Sequence, residues 1–271
     1  MDEHALLEAI ATACLKAGEA IMAVRERGFA VEQKSDLSPV TEADRAAEAI
    51  LLAALAIAAP GVPVIAEEEV AAGRIPAHGN RYFLVDPLDG TKEFVRGGDD
   101  FTVNVGLIVD GAPRLGVVLA PADGRMHAGV VGEGAWTQDV LGNRAAIESR
   151  VRQDPLVAVA SRSHFTQGTR DYLDALCGGC GHVGTGSSLK FCILAEGRAD
   201  IYPRLSPTSE WDTAAGHAVL LAAGGRCDGP DGAPLRYGKA AFLNAGFVAT
   251  GGWNAPPCAP FLITDCGSGG N

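Results

Sequence analysis

Residues 101–137 constrain the fold more than any other part of the chain. Apolar runs with period two occupy 101–109, 114–120 and 126–131, and the last ends near Trp136. Between and after them stand Asp110-Gly111, Asp123-Gly124 and Glu133-Gly134. An Asp-Gly pair between two such runs supplies the positive backbone angles of a tight hairpin. The segment therefore reads as an antiparallel meander. Around it the spacing becomes helical. Leu6, Leu7, Ile10, Cys14, Ala17 and Ile21 line one face of a helix over 2–27, and a second helix covers 41–59. Thr41 and Asp44 form a capping-box pattern at its start, and Pro60-Gly61 stops it. A strand at 62–66, a loop at 70–80 and a strand at 82–85 follow. The later chain alternates a strand (156–160), helices (167–176 and 187–196), a strand (199–202) and a helix (210–223) capped by Gly224-Gly225. The pattern is a layered α/β (α+β) protein. Residues 1–150 form an α+β half with the meander and 151–250 an α/β half. Residues 251–271 form a Gly/Pro-rich tail expected to be poorly ordered.

Composition narrows the function classes. Hydrophobic residues make up 47% of the 271, enough for a sizeable core, and charged residues only 20%, too few for a disordered chain. A net charge of −11 argues against a protein that coats nucleic acid or an acidic membrane. The longest apolar stretch, 46–59, is interrupted by Glu48 and is too short to span a bilayer. Met1-Asp2-Glu3-His4 lacks the basic start of a signal peptide. Seven scattered cysteines suggest reduced thiols and a cytoplasmic protein. Cys177-Gly178-Gly179-Cys180 has no second pair for zinc and follows a helical run, so it reads as a solvent-accessible loop.

The chemistry concentrates in Asp86-Pro87-Leu88-Asp89-Gly90-Thr91, which ends an apolar run. Pro87 keeps Asp86 extended, Gly90 permits close approach, and Asp86, the Leu88 carbonyl and Asp89 offer three hard oxygens. Mg²⁺ takes few protein oxygens and leaves its remaining positions to water and phosphate. An Asx-type turn accounts for one such aspartate but not for the whole motif. Glu67-Glu68-Glu69 ends a short strand nineteen residues before Asp86. Glu67 fits a ligand there, Glu68 fits a water-orienting role, and Glu69 a solvated one. Asp212 stands where a helix dipole alone would explain an acidic residue, and Asp44 where a capping box would. Thr91 is a turn residue or a hydroxyl able to polarise water. Cations for a phosphate come from His164, Lys190 and Arg204, and N–H groups from the small-residue turn Gly186-Ser187-Ser188.

Taken together, Glu67-Glu68, Asp86-Pro87-Leu88-Asp89-Gly90-Thr91 and Trp211-Asp212-Thr213-Ala214-Ala215-Gly216 resemble the inositol monophosphatase-like family of Mg²⁺-dependent, lithium-sensitive phosphatases. The order and spacing agree from Asp44 to about Phe247. Thr91-Lys92-Glu93-Phe94, Phe101-Thr102-Val103-Asn104, Ser161-Arg162-Ser163-His164, Gly186 to Cys192 and Tyr202-Pro203-Arg204 are similar to the bacterial 3′(2′),5′-bisphosphate nucleotidases of the CysQ type. The resemblance implies an αβαβα sandwich of the inositol monophosphatase and sugar phosphatase type. It implies two or three Mg²⁺ ions held by Glu67, Asp86, the Leu88 carbonyl, Asp89 and Asp212. Asp44, Glu67 and Thr91 would be catalytic. Gly90, Thr91, His164, Ser187, Lys190, Arg204 and Asp212 would lie near a small phosphorylated nucleotide in sulfur assimilation or nucleotide recycling. Where relatives often carry Ser before the Glu pair, this chain has Ala66. Inositol phosphate hydrolysis, another phosphomonoester substrate, or a non-catalytic metal-dependent nucleotide sensor are the alternatives. Monomer and homodimer, and peripheral attachment to the inner membrane, stay open.

Overall fold

The computed structural model describes residues 2–34, 38–161 and 165–262. Helix α1 (Glu3–Arg27) begins at Asp2, whose carboxylate accepts from the His4 N–H at 3.0 Å. A small antiparallel hairpin, β1 (Val31–Gln33) and β2 (Pro39–Thr41), leads into α2 (Glu42–Ala58). The main sheet has seven strands in the order β3-β4-β5-β6-β7-β8-β9. They are β3 (Val64–Ala66), β4 (Arg81–Asp89), β5 (Thr102–Val109), β6 (Ala112–Ala120), β7 (Arg125–Val130), β8 (Gly134–Gln138) and β9 (Arg144–Ile147). Short helices α3 (Glu67–Ala71) and α4 (Thr91–Val95) flank β4. Only β3 and β4 run parallel; the other pairs are antiparallel, and β9 extends the meander beyond its expected end. Asp110 and Gly111 turn its first hairpin, with φ of 52° and 71°.

A second sheet, ordered β11-β10-β12-β16-β14, forms from β10 (Ala158–Ser161), β11 (His182–Thr185), β12 (Ile201–Arg204), β14 (Arg226–Asp228) and β16 (Phe247–Thr250). Helices α5 (Gln167–Cys177), α6 (Leu189–Ala195) and α7 (Trp211–Ala222) complete the later half, with a separate two-strand pair, β13 (Thr208–Ser209) and β15 (Leu243–Asn244).

Strand alternation sets the layers. Phe83 and Val85 of β4 enter a core with α1 and α2, while Tyr82 and Leu84 enter a second core with α6 and α7. On the other sheet Tyr202, Phe247 and Ala249 face that same central core, and Ile201 and Val248 face a third one with α5. The order helix, sheet, helix, sheet, helix follows, which is the αβαβα arrangement. The close fit of α7 on the main sheet depends on glycine. A Cβ at Gly116 would lie 2.3 Å from the Ala215 carbonyl, and one at Gly106 2.8 Å from the Ala215 nitrogen.

Several expectations need correction. Glu67 opens helix α3 rather than a loop, because three acidic residues in a first turn complement the helix dipole. The strand expected at 82–85 continues through the acidic motif to Asp89. Strands β1, β2, β9, β11 and β13–β16 were not anticipated; most are short, and patterning is weak over two to four residues. The reduced-thiol expectation fails at Cys177 and Cys180, which form a disulfide: Gly178 and Gly179, both at positive φ, return the chain so that the two Cα atoms are 5.5 Å apart. Cys14, Cys192, Cys227 and Cys258 are free and buried. Residues 251–262 of the tail pack against the protein. Tyr172 donates to the Pro256 carbonyl (2.8 Å), Trp253 Nε1 donates to the Asp200 carbonyl (3.1 Å), and Cys258 is buried. Its last nine residues, 263–271, lie outside the described residues.

Candidate active site

Two strand registers and two helix starts bring the acidic residues together. Ala66 of β3 stands opposite Val85 of β4, so the next residues, Glu67 at the start of α3 and Asp86 still within β4, lie side by side. Asp86 pairs with Asn104 and Asp89 with Thr102, three steps on β4 against two on β5. That extra residue is a β-bulge. Residues three apart on a regular strand point to opposite faces; the bulge returns Asp89 to the face of Asp86. Pro87, which has no N–H for the ladder, sits inside the bulge, where its missing donor is tolerated. Gly90 then turns at φ 95°, where an added Cβ would meet the Asp100 carbonyl at 2.8 Å.

Asp212 comes from the first turn of α7 and accepts from Thr208 Oγ1 (2.5 Å) and the Ser209 N–H (3.1 Å). Asp44 comes from the first turn of α2 and is buried. Its Oδ2 completes the capping box, accepting from the Thr41 N–H (2.7 Å) and hydroxyl (2.8 Å); its Oδ1 lies 3.1 Å from the Thr91 hydroxyl. The capping and functional readings therefore use different oxygens of one carboxylate.

One cavity of about 260 Å³ is lined by Glu67, Asp86, Leu88, Asp89, Gly90, Thr91, Ser187, Lys190, Arg204 and Asp212, among others. Burial and mutual repulsion push the carboxylates up. Asp86, the most buried, rises well above the ordinary range, from burial first and then from Glu67, Asp89 and Asp212. Asp212 is pushed up to about 6 by burial and by Asp89. Burial raises Glu67 and Asp89 as well, against the opposing pull of Lys34 on the first and of Lys190 and Arg204 on the second. Like charges raised in this way are relieved by a cation. The donor set fits Mg²⁺: among the described residues the cavity is lined by carboxylate, hydroxyl and carbonyl oxygens and by no histidine or cysteine. Among the described residues no three acidic, histidine or cysteine side chains are drawn together closely enough to hold a metal ion as they stand. The cation at hand is Lys34, whose ammonium reaches Glu67 (2.6 Å) and Glu68 (2.5 Å). Glu69 turns away to Arg74 (2.7 Å).

The remaining candidates differ. The Leu88 carbonyl lies 3.0 Å from the Thr91 hydroxyl, whose one hydrogen it shares with Asp44, and it keeps at least one lone pair for another partner. Ser187, at φ 46°, lines the cavity with a buried hydroxyl that has no hydrogen-bond partner among the described residues. Lys190 is less available than expected: it is buried, its ammonium donates to the Thr185 and Ser187 carbonyls, and burial pulls it down to about 8. Arg204 braces its own loop through the Ser206 (3.4 Å) and Pro207 (3.2 Å) carbonyls. His164 lies outside the described residues. Sequence reasoning missed Lys34, Thr208 and the buried chain in which Thr102 meets Ser188 (2.9 Å) and Ser188 donates to Asn104 (2.6 Å). Thr208, four residues before an acidic helix start, carried a cap-like signal; Lys34 carried none.

Comparison with known proteins agrees with this geometry. The profile of the inositol monophosphatase family matches residues 2–256. The chain is 45% identical over 248 residues to 3′(2′),5′-bisphosphate nucleotidase CysQ of Salmonella typhimurium, covering 90% of this chain and 99% of that protein. It is 44% identical over 245 residues to the Escherichia coli K12 protein of the same name, covering 89% and 98%. The crystal structure of CysQ from Bacteroides thetaiotaomicron superposes with a TM-score of 0.77 at 36% identity, covering 91% of this chain and 97% of that one. With the acidic bulge, the two acidic helix starts and the αβαβα layers in place, the chain belongs to the inositol monophosphatase family.

Proposed function

We propose that this protein is a Mg²⁺-dependent phosphatase that removes the 3′-phosphate of adenosine 3′,5′-bisphosphate, giving AMP and phosphate. 3′-Phosphoadenosine 5′-phosphosulfate is its second substrate. The observation that carries the reaction type is the convergence of Glu67, Asp86, Asp89 and Asp212, from three distant segments, on one cavity beside Thr91. The substrate follows from similarity to the CysQ nucleotidases across about nine-tenths of the chain.

Glu67, Asp86, the Leu88 carbonyl, Asp89 and Asp212 would hold two or three Mg²⁺ ions. Bound there, Mg²⁺ neutralises the phosphate and makes water a better nucleophile at neutral pH. The protein's own part is orientation. With its one hydrogen turned to Asp44 rather than to the Leu88 carbonyl, the Thr91 hydroxyl keeps its lone pairs to accept a hydrogen bond from the attacking water. Capping bonds from Thr41 hold Asp44 still, so Thr91 is aimed before substrate arrives. Glu67, at the start of α3, positions the same water from another side. Ser187, with its unpartnered hydroxyl, contacts the nucleotide, and Lys190 shapes the turn that presents it. Arg204 sits beside Asp89 and Asp212 and supplies positive charge at the phosphate.

The test compares phosphate release from adenosine 3′,5′-bisphosphate, myo-inositol 1-phosphate and fructose 1,6-bisphosphate at one Mg²⁺ concentration. The nucleotide should be cleaved fastest by kcat/KM; a faster reaction with inositol phosphate would overturn the substrate assignment.

A further inference from the structure

Behind Asp212 lies a network that the proposed reaction does not use. Glu210, the residue before Trp211, is fully buried. Its side chain does not cap its own helix. It reaches across to segment 236–239 and accepts from the Gly238 N–H (2.9 Å), the Lys239 N–H (3.1 Å) and the Lys239 ammonium (3.0 Å). The same ammonium donates to Asn244 Oδ1 (2.9 Å) and to the Arg236 carbonyl. Asn244 in turn donates to Thr213 Oγ1 (3.0 Å), which also accepts from the Tyr237 hydroxyl (3.2 Å).

This network closes on the candidate ligand. Asn244 belongs to β15, where it pairs with Thr208 of β13. Thr208 and Ser209 of β13 then make both hydrogen bonds to Asp212, and both fall on one oxygen, Oδ2. The Glu210 N–H adds a bond to the Phe242 carbonyl (2.7 Å), which ties the helix start to the residue before β15. So the strand that holds Asp212 is itself held by the Glu210–Lys239 pair.

We propose that Glu210 and Lys239 are positioning residues that fix the Asp212 carboxylate with Oδ1 free for the cation, and so set the Mg²⁺ affinity of the site. The inference rests on the reading that Asp212 ligates Mg²⁺. Groups that orient a ligand from behind typically change metal affinity 10- to 100-fold when removed. An ion pair serving stability alone, between buried Glu210 and half-exposed Lys239, would lower the melting temperature and leave Mg²⁺ affinity unchanged.

The experiment titrates the full chain with MgCl₂ alone and follows intrinsic fluorescence, since Trp211 borders the cavity. Glu210→Gln and Lys239→Met are compared with Asp212→Asn and with Arg150→Met, which breaks a buried ion pair elsewhere (Arg150 to Asp200, 2.7 Å). Expected is an Mg²⁺ dissociation constant raised about 10- to 100-fold in Glu210→Gln and Lys239→Met. kcat at saturating Mg²⁺ should stay within a few-fold of the parent, and Arg150→Met should bind Mg²⁺ normally. Native Mg²⁺ affinity in both clamp variants, with affinity lost in Asp212→Asn, overturns the clamp and leaves the metal assignment standing. Native affinity in Asp212→Asn overturns the metal assignment itself. Lys239→Met keeps both backbone bonds to Glu210, so it carries the test if Glu210→Gln fails to fold.

Discussion

Single residues in this site serve two requirements at once, and the division falls atom by atom. Asp44 gives one oxygen to its helix cap and the other to Thr91. Asp89→Asn removes a half-buried charge from a repelling cluster. It should cut turnover by orders of magnitude while the melting temperature stays near the parent's; near-normal phosphate release would contradict a ligand role. The raised carboxylates also set a pH dependence. Asp212, pushed up to about 6, is protonated below that pH and cannot ligate. Mg²⁺ affinity should therefore rise with pH, as a fluorescence titration between pH 5 and 8 would show. Linkage gives the opposite sign for the metal-free fold. An unfolded aspartate titrates near 3.9. The native state therefore binds more protons between about 4 and 6, and Asp212 costs stability as pH rises through that window. The rise in melting temperature on adding Mg²⁺ should be larger at pH 7.5 than at pH 5. Equal rises would refute this account.

At the scale of elements, the site depends on how helix starts are placed. Thr41 accepts from the Ala43 N–H (3.1 Å) and donates to Asp44. Thr41→Ala should cost about 1 kcal/mol of stability. It should also lower kcat, because Asp44 loses its restraint; Thr41→Ser should recover both. Helix α7 brings Asp212 to the cavity only because the main sheet admits it closely. Gly116→Ala would drive a methyl into the Ala215 carbonyl, so it should destabilise the protein by roughly 1–3 kcal/mol in urea unfolding. Activity should fall with it as the helix is displaced, and an unchanged unfolding midpoint would remove this account of the packing.

For the whole molecule, three apolar cores hold the layers together, and the acidic cavity is not among them. Chelation by EDTA should abolish phosphate release, leave the far-ultraviolet circular dichroism unchanged, and be reversed by Mg²⁺. Unfolding on chelation would instead mark a domain built on its metal. Among the described residues no helix is long and apolar enough to cross a membrane. The sequence alone determined the meander, the long helices α1, α2 and α7, and the acidic motifs, because periodicity, turn residues and caps act within a few residues. It also named the carboxylates that line the cavity, since few other reasons place Asp-Pro-Leu-Asp-Gly-Thr after an apolar strand. Tertiary structure alone decided the rest. The bulge that turns Asp86 and Asp89 to one face is set by register against β5, a partner strand. Lys34 meets Glu67 through a separate hairpin, and Glu210 meets Lys239 across twenty-nine residues. Lys190, read as a free cation, is spent on backbone carbonyls inside the protein. The first three depend on the approach of distant segments and the last on burial, which local pattern does not encode.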